Sequence, residues 1–154
     1  MNETITILIA DDHPLFRKGL KEVIEGEPSL KVVKETGDGN EALLYIEEQK
    51  PDIAILDIEM PVMNGLDVAL KVQQRQLPVD IIMLTMHDKE TFFNCAMDAG
   101  AMGYVLKNSA IPDILDCIQN VHAGKYYITP SISSYLMSRA KQSKSPSGNG
   151  LKFF

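Results

Sequence analysis

The chain has 154 residues, 45% of them hydrophobic and 23% charged, and its 15 basic and 21 acidic side chains leave a formal charge of −6. This is the composition of a soluble globular domain with one good core, and no apolar run approaches the roughly 20 residues of a membrane span. Residues 1–130 hold all 21 acids against 11 bases, a balance of −10 that excludes nucleic-acid binding by this part alone; 131–154 carry only Arg139, Lys141, Lys144 and Lys152.

Thr4 to Ile9 is rich in β-branched residues and reads as a first strand, ended by Ala10-Asp-Asp-His-Pro14. Pro14 suits the first turn of a helix, where its missing N–H costs nothing. Phe16, Leu20, Val23 and Ile24 form one apolar stripe of that helix, and Gly26 stops it. Leu30 to Thr36 is a second strand and Gly37-Asp-Gly39 a turn. Asn40 to Gln49 is a helix with Ala42, Leu43 and Ile46 inward. Ile53-Ala-Ile-Leu-Asp57 reads as a strand buried on both faces and closed by a carboxylate. A Met60-Pro…Asn64-Gly65 turn then breaks the chain.

A third helix, Asn64 to about Arg75, is expected to bury Leu66, Ala69 and Leu70. Asp80 to Leu84 is the next buried strand, ending in Thr85. Asp88 opens a helix through Phe92, Cys95, Ala96 and Ala99, closed by Gly100. Met102 to Leu106 is a fifth strand, ending in Lys107. Ser109 is the expected N-cap of a last helix carrying Ile111, Ile114, Leu115, Ile118 and Val121 on one side. Lys125 to Pro130 is expected to pass over the surface, 131–141 to form a short helix, and 142–150 to be a flexible linker. Cys95 and Cys117 both read as buried thiols, and Met-Asn-Glu-Thr at the start is no signal peptide; a reducing cytoplasm fits both.

Five strand–helix alternations with short connections predict an α/β fold: a doubly wound parallel sheet with right-handed crossovers. In such a sheet the carboxyl ends of the strands face one crevice. Those ends carry Asp11-Asp12, Asp57, Thr85 and Lys107. Singly, each has an ordinary reading: a helix cap, a strand-end hydroxyl, a solvated charge. Together they are chemically coherent. Three carboxylates in one place repel unless a cation sits among them, and Mg²⁺ suits oxygen ligands while keeping room for a phosphoryl oxygen. Asp57 is then placed to attack phosphorus as a nucleophile. Lys107 would neutralise the transferring charge and Thr85 would donate to a phosphoryl oxygen.

On these residues the chain resembles the receiver domain of two-component response regulators. Ala10-Asp-Asp-His-Pro, Asp57-Ile-Glu-Met-Pro-Val-Met-Asn-Gly, Leu84-Thr-Met-His and Ala99-Gly-Ala-Met-Gly-Tyr-Val-Leu-Lys are most similar to the NarL/FixJ (LuxR-type) subfamily. The resemblance covers residues 4 to about 123 and implies a flavodoxin-like five-stranded sheet in the order 2-1-3-4-5. It implies that Asp57 accepts phosphate from a histidine kinase. It also implies that Asp12, Asp57 and the Glu59 backbone carbonyl bind Mg²⁺, with Asp11 acting through water. Thr85 and Tyr104 would form a switch, Tyr104 turning inward as Thr85 moves toward the phosphate. Glu59 and His87 would tune dephosphorylation. Many receivers place a cis proline after the lysine; Asn108 stands there instead, and a cis bond without proline costs about 2.5–4 kcal/mol.

Two other functions compete. An aspartyl phosphohydrolase would need a cap insertion and an acid/base aspartate where Glu59 stands; a degenerate docking module would not keep all the polar positions. The expected organisation is a receiver over 1–124 and a linker over 125–154, with self-association of the phosphorylated form through the last helix or the Phe92–Phe93 face. DNA would be read only through a helix-turn-helix domain, and none fits after Pro130. The chain therefore reads as the receiver and linker of a longer regulator, with a natural stand-alone receiver as the rival.

Overall fold

The computed structural model describes residues 3–143. Five strand–helix units run in order: β1 (Ile5–Ala10), α1 (Pro14–Glu25), β2 (Leu30–Thr36), α2 (Gly39–Gln49), β3 (Ile53–Asp57), α3 (Gly65–Gln74), β4 (Asp80–Thr85), α4 (Glu90–Asp98), β5 (Gly103–Leu106) and α5 (Lys107–His122). A two-residue β6 (Tyr127–Ile128), a 3-10 turn (Pro130–Ile132) and α6 (Ser134–Ser143) follow. All pairings are parallel and the strand order is 2-1-3-4-5-6.

Side-chain alternation along each strand sorts the core into two layers. Leu8, Ala54, Leu56, Met83 and Tyr104 face α2, α3 and α4. Ile7, Ile9, Ile55, Ile82 and Val105 face α1 and α5, where Leu20, Ile24, Ile114 and Ile118 meet them. Residues 53–57 are buried throughout, as a strand covered on both faces requires.

Several local expectations are corrected. Helix α3 buries Val68, Ala69 and Val72, not Leu70, which is exposed. Its rotation follows from Gly65: a Cβ there would lie 2.3 Å from the Asp57 carbonyl oxygen, so this edge of the helix is pressed against β3. Helix α4 begins at Glu90, not Asp88, and its inward residues are Phe93 and Ala96. Cys95 is therefore exposed, while Cys117 is buried and its thiol is pushed up to about 12 by burial. Helix α5 starts at Lys107 directly after β5. Ser109 does not cap it, and its hydroxyl instead donates to the Leu106 carbonyl at 3.2 Å.

The segment after α5 does not merely cross the surface. Tyr127 and Thr129 donate to the Met102 and Tyr104 carbonyls at 3.0 Å each, and Leu106 donates to the Thr129 hydroxyl at 2.9 Å. These bonds cover the free edge of β5 and add a sixth strand to the expected five. Helix α6 then lies on α4. Tyr135 donates to the Asp88 carbonyl at 2.8 Å, and Arg139 pairs with Asp98 at 3.0 Å and reaches the Asn94 side chain at 3.2 Å. Arg139 is thus a docked cation rather than a solvated one. Of the segment expected to be a flexible linker, residues 144–150 lie outside the described residues. Among the described residues, no helix is long and apolar enough to cross a membrane and no peptide bond is cis, Lys107–Asn108 included.

Candidate functional site

The register carries the strand-end residues to one edge. Asp57 stands opposite Leu84 of β4, and Leu56 before it is opposite Ala10 of β1, so Asp11 follows β1 beside Asp57. Lys107 arrives from the end of β5. Its Nζ lies 2.8 Å from Asp11 Oδ2 and 2.9 Å from Asp57 Oδ2, with all three residues buried. The Phe16 ring lies beneath the ammonium, 4.9 Å away at its centroid. Asp57 Oδ1 accepts from the Glu59 amide at 3.0 Å. The loop from Ile58 to Gly65 closes as Gly65 donates to the Ile58 carbonyl at 3.0 Å, and Asn64 caps α3 by accepting from the Asp67 amide at 2.8 Å.

Burial raises the Asp57 pKa above the ordinary carboxylate value; the Lys107 ammonium and the Glu59 amide act against it. For Lys107, burial pulls downward, but its bonds to Asp11 and Asp57 prevail and the pKa is raised. One ammonium thus faces three carboxylates, a formal balance of 1 − 3 = −2. Asp11 Oδ2 is buried and has no aligned hydrogen bond, only the ion-pair approach of Lys107. Carboxylate oxygens of Asp11, Asp12 and Asp57 and a nitrogen of His13 all lie within 4.8 Å of one another. Negative charge in excess of its one cation and a set of hard donors within 4.8 Å of one another fit a divalent cation such as Mg²⁺.

The other expected residues occupy the neighbouring strand ends. Thr85 is buried, and its hydroxyl accepts from the His87 amide at 2.9 Å. Tyr104 is fully buried and already inward, its hydroxyl donating to the His87 carbonyl at 3.0 Å. Burial pushes that hydroxyl up to about 12, against a lowering contribution from Thr85. The His87 and Glu59 side chains meet at 2.9 Å across the mouth of the site. Phe92 stacks on the His87 ring with centroids 4.0 Å apart, and Phe93 points inward against Tyr104 at 5.3 Å. One of the adjacent phenylalanines is thus core and the other half-buried, as their neighbouring positions on a helix require.

Sequence reasoning assigned no role to His13 or Phe16, which line the pocket of Lys107, nor to Arg17, which donates to the Asp11 carbonyl. A histidine directly after two aspartates was a usable signal; Phe16 and Arg17 carried none, because one reads as helix stripe and the other as surface charge.

The chain matches the family model described as the response regulator receiver domain over residues 7–119. It is 35% identical over 133 residues to the transcriptional regulatory protein DegU of Brevibacillus brevis, covering 86% of this chain and 56% of DegU. It is 33% identical over 144 residues to the transcriptional regulatory protein NarL of Mycobacterium tuberculosis, covering 94% of this chain and 67% of that protein. Among solved structures, the signal receiver domain of NarL from M. tuberculosis superposes with a TM-score of 0.77 at 35% identity, over 80% of this chain and 99% of that one. A LuxR-family two-component response regulator from Aurantimonas sp. SI85-9A1 superposes with a TM-score of 0.83 at 32% identity, over 90% and 99%. The chain thus spans only part of the length of its curated relatives.

Proposed function

The chain belongs to the response regulator receiver domain family, in its NarL/LuxR-type branch, and from that premise we propose that Asp57 is the phosphoacceptor of a phosphorylation-controlled switch. The observation that carries this reading is the buried Lys107–Asp57 pair at 2.9 Å beside the acidic Asp11 and Asp12. An oxygen of Asp57 attacks the phosphorus of a phosphohistidine on a histidine kinase; the P–N bond breaks as the P–O bond of an acyl phosphate forms. Asp12, Asp57 and the Glu59 backbone carbonyl would hold Mg²⁺, with Asp11 reaching it through water, and the ion would supply neutralisation of charge on the phosphoryl oxygens. Lys107 holds the nucleophile in place and then faces the added charge. The chain promotes only its own phosphoryl transfer and dephosphorylation.

The switch runs through Thr85 and Tyr104. The hydroxyl of the first and the phenol of the second both bond the His87 backbone, so Thr85 cannot turn toward a phosphate without disturbing the segment that Tyr104 holds. Glu59 and His87, bonded to each other over the site, gate the water that hydrolyses the acyl phosphate. Residues 1–124 act as the receiver and 125–154 as the linker to a DNA-binding transcription regulator domain, with a phosphorylated homodimer as the active form. The relatives named as transcriptional regulatory proteins, of which this chain spans 56% and 67%, support that extension.

The test is incubation with Mg²⁺ and acetyl phosphate, followed by intact mass. One phosphoryl group per chain, lost in Asp57→Asn with the circular dichroism unchanged, is the expected result. Undiminished modification of Asp57→Asn overturns the site, and turnover of many equivalents favours a hydrolase.

A further inference from the structure

Resting on the reading of the acid pocket as a divalent-cation site, we infer that His13 completes that site as a nitrogen ligand and tilts it from Mg²⁺ toward first-row transition ions such as Mn²⁺. The Nδ1 atom of His13 lies 2.9 Å from Asp11 Oδ1, 3.2 Å from Asp12 Oδ1 and 3.8 Å from Asp57 Oδ2. The same nitrogen lies 2.9 Å from the Lys107 ammonium. These contacts cannot all be hydrogen bonds. An ammonium has protons and no lone pair, so Lys107 requires a bare nitrogen; ionised carboxylates have lone pairs and no proton, so Asp11 and Asp12 require an N–H. Whichever ring nitrogen carries the proton, His13 faces like against like on one side.

A cation shared by Nδ1 and the carboxylate oxygens takes the place of the proton that Asp11 and Asp12 require. The nitrogen gives its lone pair to the ion, so the Lys107 ammonium loses that acceptor and withdraws onto Asp11 Oδ2 and Asp57 Oδ2. The residue is held for this: its backbone N–H donates to Asp11 Oδ1 at 2.8 Å, which fixes it at the lip of the pocket. Its side chain is 62% exposed, so this nitrogen donor stands on the solvent side, where an ion enters. Mg²⁺ prefers oxygen and gains little from an imidazole. Transition ions gain more, and imidazole is among the ligands they favour. His87, the other histidine near the mouth, is bonded to Glu59, stacked on Phe92 and outside the cluster of donors.

The experiment titrates the full chain with Mn²⁺ alone and with Mg²⁺ alone, and records the nitrogen coupling of bound Mn²⁺ by pulsed electron paramagnetic resonance. The expected result is a ¹⁴N coupling that persists in His87→Asn and disappears in His13→Asn. Mn²⁺ affinity should fall roughly tenfold in His13→Asn while Mg²⁺ affinity changes by less than about threefold. Mn²⁺ bound without nitrogen coupling, or with coupling that survives in His13→Asn, overturns the role of His13 and leaves the carboxylate site standing. Failure of the unmodified chain to bind either ion overturns the cation site itself, and the inference with it.

Discussion

Replacing Lys107 by methionine removes the ammonium but keeps an unbranched chain of similar length over Phe16. Two buried carboxylates, Asp11 and Asp57, then lose a partner at 2.8 and 2.9 Å. Breaking a buried pair from one side typically destabilises by about 3–5 kcal/mol, because the charge left behind is uncompensated. In a chain of this size that lowers the melting temperature by about 10 °C or more. Urea denaturation in EDTA measures it. The pH sets the sign. Without Lys107 the group that lowers the Asp57 pKa is gone, so the folded pKa rises further above 3.8. A carboxyl group with a raised folded pKa contributes stability below the unfolded value and loses it as pH climbs through the folded one. The deficit of Lys107→Met is therefore full at neutral pH and shrinks as pH approaches 4. The double variant Lys107→Met/Asp57→Asn should recover about 1–3 kcal/mol, a coupling that a double-mutant cycle resolves. A loss under about 1 kcal/mol at pH 7, or single effects that simply add, would refute the reasoning.

Tyr104, pushed up to about 12, contributes stability that is complete below pH 10 and is lost as pH rises through 12; Tyr104→Phe should flatten the alkaline limb of a stability profile, leaving the parts due to Cys117, Lys107 and Tyr127. Gly39→Ala puts a Cβ 1.8 Å from the Met63 carbonyl oxygen, so despite alanine's better helix propensity it should destabilise by about 1–3 kcal/mol in urea. Val62 is exposed at φ 70, a left-handed conformation that strains a β-branched residue, and Val62→Asn should stabilise by about 1 kcal/mol in thermal melts.

What was legible in the sequence was whatever a strand dictates. Ile53–Asp57 and Asp80–Thr85 announce themselves by apolar runs with a polar end, and parallel pairing then forces Asp11, Asp57, Thr85 and Lys107 to one edge. Helix rotation was less legible, because α3 offers leucines in one phase and valines in another, and the choice is made by the contact of Gly65 with the Asp57 carbonyl. The same holds for α4, where Phe93 rather than Phe92 faces the sheet. Strand β6 was missed because two residues paired on an edge have no period to detect. His13 was seen in its motif and passed over, since a ring's reach across a pocket is a tertiary fact.

The rings of Tyr104, Phe93 and Tyr135 touch in sequence, at 5.3 and 5.7 Å, leading from the sheet through α4 to α6. Such a stack has little give. Core-packed rings move in discrete steps rather than by gradual compression. Helix α6 therefore takes its bearing from α4, the helix anchored nearest the His87 segment, and not from α5, which precedes it in sequence. A displacement of the Tyr104 ring would therefore be passed through Phe93 to Tyr135 and would tilt α6, a direction rather than a distance.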